Sequence, residues 1–253
     1  MSSQQQIPIV LLKEGTTETK DKDAQRNNIT AAKLVAEVVR SSLGPRGMDK
    51  MLVDPMGDVT ITNDGATILR EIDIQHPAAK MMVEVSKSVD NEVGDGTTSS
   101  VVMAGSLLEK AEELIDRNVH PSIIVDGYKK CSAKASEILR DVSISVKPGD
   151  KDILNKISAT SMSSKMISTN SKLLSEIVVD SILAAADEVD GKIKVDIDNI
   201  KVDKKPGGSI DDTSLVNGVV LDKEVVHAGM PKRMQQSRIA LVNSPLEIEK
   251  PEF

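Results

Sequence analysis

Apolar positions along this chain follow a helical period through its first two thirds and break into short runs afterwards. From Asn28 onward, Ile29, Ala32, Val35, Val39 and Leu43 recur at spacings of three and four, the signature of one buried helix face. Gly44-Pro45 ends that run, because glycine closes a last turn and proline does not continue it. Met51 to Val53 and Val59 to Thr62 flank Pro55-Met56-Gly57-Asp58 and predict a small hairpin. A short helix is expected after Asn63 to Thr67, ending near Ile72. Pro77 opens another, with Ala78, Met81, Met82, Val85 and Val89 on one face, and it ends before Gly94. The helix after Gly96 runs toward Asn118 on a stripe of Val101, Ala104, Leu108, Ala111 and Ile115. Pro121 opens the next, where Ile124, Tyr128, Cys131, Ala135, Ile138 and Val142 keep the same spacing. All these stripes read as core.

Lys147-Pro148-Gly149-Asp150 is a break and a candidate domain boundary. Helical segments near Ile153 to Ser158 and Leu173 to Ala186 enclose a polar loop, Thr160 to Lys165. Beyond Asp190-Gly191 the runs become β-like: Ile193 to Val195, Ile200 to Val202, Val219 to Leu221 and Ile239 to Val242. These strands have too few partners to be stable alone, so the chain looks cut inside a domain. Near the start, the isolated apolar run Ile7 to Leu12 contains Pro8. It fits either a buried edge strand or a strand that pairs with a neighbouring subunit. No repeat at solenoid periods is present.

Composition narrows the function. Of 253 residues, 39% are hydrophobic but only 1% aromatic, so the core is aliphatic. With few aromatic platforms and a net charge of -7, nucleic-acid binding is disfavoured. Cys131 is the only cysteine; it fits a reducing compartment and reads as a small core residue. No apolar run is long enough to span a membrane and no secretory signal is evident, so a cytoplasmic protein is expected. There is no Walker-type phosphate loop, the three histidines lack zinc-ligand spacing, and no serine sits in a nucleophile elbow.

The candidate chemistry lies in two Asp-Gly segments that each precede a helix, Asn63-Asp64-Gly65-Ala66-Thr67 and Gly94-Asp95-Gly96-Thr97-Thr98-Ser99. Capping and turn formation account for either alone. Two of similar form favour a site. In the second, flanking glycines allow a tight turn, and the hydroxyls and amides of Thr97, Thr98 and Ser99 face the positive end of the helix dipole. Asp95 would repel a bare phosphate. A magnesium ion resolves the conflict by bridging carboxylate and phosphate oxygens. Ser42-Leu43-Gly44-Pro45 offers a third loop that can approach a base or ribose. With one carboxylate on magnesium and another orienting water, Asp95 and Asp64 fit phosphoryl transfer to water.

Ser42 to Lys50, Thr62 to Leu69 and Gly94 to Ser100 resemble, in order and spacing, the signature segments of the group II chaperonins, and of the archaeal thermosome subunits in particular. The resemblance covers nearly the whole chain. It implies a multi-domain subunit: a mainly α equatorial ATPase domain with a small β hairpin (residues 1–146), an α/β intermediate domain (147–216) and the start of an α/β apical domain (217–253). It also implies ATP/ADP and Mg2+ as ligands. Ser42, Leu43, Gly44 and Pro45 would lie against the nucleotide, Asp95 would bind magnesium, and Gly96, Thr97, Thr98 and Ser99 would hold phosphates. Asp64 would position the attacking water. Ser163, Ser164 and Lys165 match a nucleotide-sensing loop whose lysine reports on the terminal phosphate; from the residues alone, Lys165 reads as a solvated surface side chain. The run Ile7 to Leu12 matches a strand that pairs with the adjacent subunit. The implied partners are other subunits of a double ring and unfolded protein clients. Family members continue through the apical domain and return to the equatorial one, bringing a second acidic residue over the nucleotide. The alternative is a structural or regulatory subunit, or a fragment, that binds nucleotide without hydrolysing it.

Overall fold

A computed structural model describes residues 20–165, 167–221 and 223–245. The run Ile7 to Leu12 lies outside them. The chain divides between Leu215 and Val216 into two units.

In the first unit, helix α1 (Asp21–Arg40) packs against α3 (Pro77–Val93) and α4 (Thr97–Asp116), with the short α2 (Gly65–Glu71) closing one end. The core is the cluster of Ala32, Val35, Ala36, Val39, Ile68, Leu69, Ala79, Met82 and Val101. Val39, Ile68 and Val101 are fully buried, each contributing about 1.5–3 kcal/mol through the hydrophobic effect. Where α1 crosses α4, Gly105 meets Ala36: a Cβ on Gly105 would come within 2.3 Å of the Ala36 Cβ. The absent side chain lets the two helices come close.

α1 begins seven residues earlier than its apolar period indicates. Its first turns are polar, and side chains tie them to the end of α4 and the turn beyond it, Arg26 to Asp116 at 2.6 Å and Lys22 to Asn118 at 2.8 Å; further along, Lys33 reaches Glu112 at 2.9 Å. Hydrophobic periodicity registers only buried turns, so a solvated extension escapes it. Solvent screens charged contacts at the surface, so these orient the helix more than they stabilise it.

The stripe of α4 is buried or half-buried as expected, from Val101 to Ile115. That of α3 is rotated. Ala79, Met82 and Ser86 face inward, whereas Met81 is 71% and Val85 40% exposed. Two adjacent methionines leave two faces available, and packing selects the one carrying Met82.

Helix α5 (Pro121–Val142) departs further. Only Ile124 is buried; Ile138, Val142 and Cys131 are exposed. The expectation that its stripe and Cys131 belong to the core is therefore wrong for this chain. Ile124 and the half-buried Tyr128, whose hydroxyl donates to the Leu107 carbonyl of α4 at 2.7 Å, hold the first turns of α5, and the apolar face beyond them is exposed among the described residues.

The hairpin β1 (Lys50–Val53) and β2 (Val59–Thr62) forms in the register Lys50↔Thr62 to Val53↔Val59. Asp54 Oδ1 closes its turn, accepting from the Met56 amide at 2.9 Å and the Asp58 amide at 2.8 Å. β2 thus delivers Asn63 and Asp64 to the start of α2.

Beyond the break at Pro148-Gly149, α6 (Lys151–Met162) packs on α7 (Ser171–Ala184). Thr160 to Met162, expected in a loop, are the last turn of α6. A second hairpin, β3 (Ala186–Val189) with β4 (Lys192–Val195), turns at Asp190 (φ 55°) and Gly191 (φ 69°). This is the left-handed pair typical of two-residue hairpins. β4 contains the expected run Ile193 to Val195, but β3 occupies residues read as a helix end and its continuation.

Ile200 to Val202, Val219 to Leu221 and Ile239 to Val242 form no strand. β-prone residues become a strand only beside a second run in register, and the ladders among the described residues join only β1 to β2 and β3 to β4. In the second unit the described residues carry neither helix nor strand. Among the described residues, strand structure is therefore confined to two hairpins beside a larger helical content. Past residue 147 the described helices and strands are α6, α7 and one hairpin, with short 3-10 turns besides.

Candidate functional site

The two Asp-Gly segments are built differently. Asp64 is the N-cap of α2: its Oδ2 accepts from the Thr67 amide and the Thr67 hydroxyl, both at 3.0 Å. Its Oδ1 accepts from the Thr97 hydroxyl and from Lys165 Nζ, each at 3.2 Å. Burial pushes the Asp64 carboxyl up, but the Thr67 bonds and the Lys165 ammonium outweigh burial and hold it below its ordinary value of 3.8. Asp64 is therefore a persistent anion and a weak proton acceptor.

Asp95 caps nothing in this sense. Gly96 is the N-cap of α4, with φ 77° and no side-chain cap, and Gly94 before it has φ 72°. Two left-handed residues around one aspartate are a conformation glycine adopts without strain. Asp95 Oδ1 accepts from the Gly96 amide at 2.7 Å, and its Oδ2 accepts from the Ser161 hydroxyl at 2.5 Å. The first intrahelical bond of α4 runs from the Ser100 amide to the Gly96 carbonyl at 2.9 Å. The amides of Thr97, Thr98 and Ser99 precede it, in the turn where a helix presents N–H groups to an acceptor.

Close packing fixes α2 against this turn. A Cβ on Gly65 would lie 2.6 Å from Thr98 Oγ1 and 2.8 Å from the Thr98 nitrogen. The Asp64 cap and the opening turn of α4 are thus held side by side.

A small cleft is lined by Ser42, Leu43, Gly44, Asn63, Asp95, Gly96, Thr97, Thr98, Ser99, Ser164 and Lys165. Ser42 is buried, its hydroxyl donating to the Val39 carbonyl at 2.7 Å, and Gly44 turns with φ 84°. Leu43 is 41% exposed, beyond the helix that its spacing suggested. Three expected residues stand off the lining. Pro45 is exposed beside it. Ser163 donates to the Thr160 carbonyl at 2.7 Å and finishes α6. Asp64 sits behind the cleft, joined to it through Thr97 and Lys165.

Asn63 and Ser161 escaped selection from the sequence. Asn63 Nδ2 donates to the Ser164 carbonyl, and Ser161 reaches Asp95. Both lie inside segments singled out for other residues, so proximity to a candidate loop was the available signal.

Among the described residues no group of three or more His, Cys, Asp or Glu could form a metal cage. Magnesium bound with a phosphate needs only one or two carboxylates, water and phosphate oxygens supplying the rest. One carboxylate beside an uncapped helix turn fits that donor set. No helix among the described residues is long and apolar enough to cross a membrane.

The model of the TCP-1/cpn60 chaperonin family matches residues 35–253. A thermosome subunit of Pyrococcus horikoshii is 57% identical over 245 residues, covering 97% of this chain and 45% of that protein. Thermosome subunit beta of Archaeoglobus fulgidus is 53% identical over 253 residues, covering 100% of this chain and 46% of the relative. Thermosome subunit alpha of Sulfolobus acidocaldarius is 55% identical over 256 residues, with 97% and 46% covered. The chain spans less than half the length of these relatives.

Proposed function

Since this chain belongs to the TCP-1/cpn60 chaperonin family, we propose that it is the nucleotide-binding portion of an ATP-driven protein-folding chaperonin subunit. The observation that carries the reading is convergence: loops at 42–44, 95–99 and 164–165, far apart in sequence, line one cleft.

In this reading the Thr97, Thr98 and Ser99 amides receive phosphate oxygens, with the Thr97 and Thr98 hydroxyls beside them. Leu43 and Gly44, with Pro45 at the rim, take the base and ribose side. Asp95 holds magnesium, which when bound neutralises phosphate charge and polarises the terminal group. Asp64 orients water instead of removing its proton, because a carboxylate held below its ordinary pKa is a poor base at neutral pH. Lys165 carries positive charge at the edge of the cleft, where a terminal phosphate competes with Asp64 for it. Ser163 and Ser164 shape the turn that presents Lys165. Residues 1–146, 147–216 and 217–253 correspond to equatorial, intermediate and apical parts, and the subunit works in a cytoplasmic double ring that closes around unfolded clients.

The test is nucleotide binding by the assembled protein with and without Mg2+, for wild type and Asp95→Asn. The reading expects magnesium to tighten ADP binding to wild type and to have little effect on the variant. Equal magnesium dependence in both would overturn it.

A further inference from the structure

Ser161 lies in the last turn of α6, 66 positions from Asp95, yet its hydroxyl donates to Asp95 Oδ2 at 2.5 Å. Among the described residues, no other side chain from outside the 94–99 segment bonds that carboxylate. We propose that Ser161 is a positioning residue for the cation: it fixes the rotation of the Asp95 carboxylate and thereby couples the seating of α6 to metal affinity. This rests on the reading of Asp95 as the magnesium ligand.

Geometry favours positioning over competition. An ionised carboxylate has about four lone-pair sites. The Gly96 amide takes one on Oδ1 and Ser161 takes one on Oδ2, which leaves one on each oxygen for a cation. Asp95 sits on an exposed loop between two left-handed glycines. Without Ser161 its second oxygen is free to swing, and a cation must then order the side chain as it binds. Two neighbouring contacts come from the same stretch, Lys165 to Asp64 and the Ser164 carbonyl to Asn63. The end of α6 therefore touches the site at three places, and only the Ser161 contact reaches the metal carboxylate. By linkage, whatever moves α6 changes cation affinity, and cation binding holds α6 in place.

The experiment titrates Mg2+ against ADP bound to the assembled protein, read by calorimetry, for wild type, Ser161→Ala, Ser161→Thr and Asp95→Asn. Alanine is the better helix former, so loss of α6 is not a concern for the first variant. Ser161→Ala is expected to raise the Mg2+ concentration at half-maximal tightening about tenfold, the scale of one hydrogen bond to a charged group. ADP affinity without metal should stay unchanged, and Ser161→Thr, which keeps the hydroxyl, should restore the wild-type midpoint. A wild-type midpoint in Ser161→Ala overturns the proposal. So does equal weakening with and without metal, which would make the contact merely structural, and so does a lower midpoint, which would mean that the hydroxyl competes with the cation. Asp95→Asn separates the two levels. If it keeps full magnesium dependence, the parent reading fails; if it loses that dependence while Ser161→Ala behaves as wild type, only the role of Ser161 falls.

Discussion

Lys165 Nζ lies 3.2 Å from Asp64 Oδ1 across 101 positions of sequence. The pair joins the exit of the first hairpin to the turn after α6. Its side chains are 37% and 27% exposed, so solvent screens it and its contribution to stability is about 1 kcal/mol or less. Lys165→Met should lower the melting temperature only slightly. It should weaken ATP binding more than ADP binding, because the lysine is released to a terminal phosphate only when one is present. Equal loss for both nucleotides, measured by calorimetry, would count against that assignment.

Asp64 makes acid stability testable. Its folded carboxyl is held below 3.8, so in acid the unfolded chain binds more protons than the folded one, and protonation favours unfolding. The contribution is complete above 3.8 and is lost as pH drops through the lowered folded value. Asp64→Asn should be less stable than wild type near neutrality, and the gap in melting temperature should narrow as the pH falls below 3.8 and through the lowered folded value. A gap constant with pH would contradict the carboxylate's role.

Gly105 sets the approach of α1 to α4. Gly105→Ala gains about 1 kcal/mol of helix propensity, but its methyl would collide with Ala36 at 2.3 Å. Neither side chain can rotate away, so overpacking at about 1–3 kcal/mol wins. Thermal melts should show a net loss, and Ala36→Gly in the same chain should recover part of it. Additive losses in the double variant would mean that the two positions do not touch.

Gly65 should be more sensitive for binding than for folding. A methyl there meets Thr98 backbone, which cannot yield as a flexible side chain does. Gly65→Ala should push α2 away from the first turn of α4. ADP affinity should fall by at least about tenfold, the cost of one misplaced hydrogen-bonding contact, while circular dichroism keeps its helical signal. Unchanged affinity would place the phosphates elsewhere.

The uncovered face of α5 carries its own expectation. Ile138 is 50%, Leu139 66% and Val142 68% exposed, and contiguous apolar surface of this kind drives association. Replacing Leu139 and Val142 with lysine should reduce self-association of the 253-residue chain in sedimentation runs without lowering its melt. A variant that melts earlier would show that the face is covered within the chain.

Much of this architecture was legible because burial imposes a period. The stripes of α1 and α4 face one core and read directly. α3 did not, since Met81 and Met82 are equally apolar and only packing chooses between them. α5 misled for a different reason: a stripe records affinity for a cover and says nothing of whether the cover is present. β3 was missed because Asp187 and Glu188 look like solvated helix, and its strand character comes from β4 alongside. In the site, the two Asp-Gly pairs stood out, but their division of labour did not. Nothing local distinguishes an aspartate that caps its own helix from one that leaves the next helix uncapped. Lys165 read as solvated until its partner, 101 positions away, came into view. Long-range pairs of this kind leave no trace in local periodicity.

The glycine that begins α4 has a dynamic corollary. Its neighbour α2 is closed by its own aspartate, whereas α4 starts from a glycine with no side-chain acceptor for its first amides and forgoes the few tenths of a kcal/mol, roughly, by which a Ser or Asp cap exceeds a glycine one. Its leading edge is therefore built to fray more readily, and a visiting anion would mend that fraying. Hydrogen–deuterium exchange at Thr98 and Ser99 should slow on ligand arrival, and the stiffening would travel along twenty residues of continuous helix into the packed interior. A loop-borne site would have no such shaft through which to announce its occupancy.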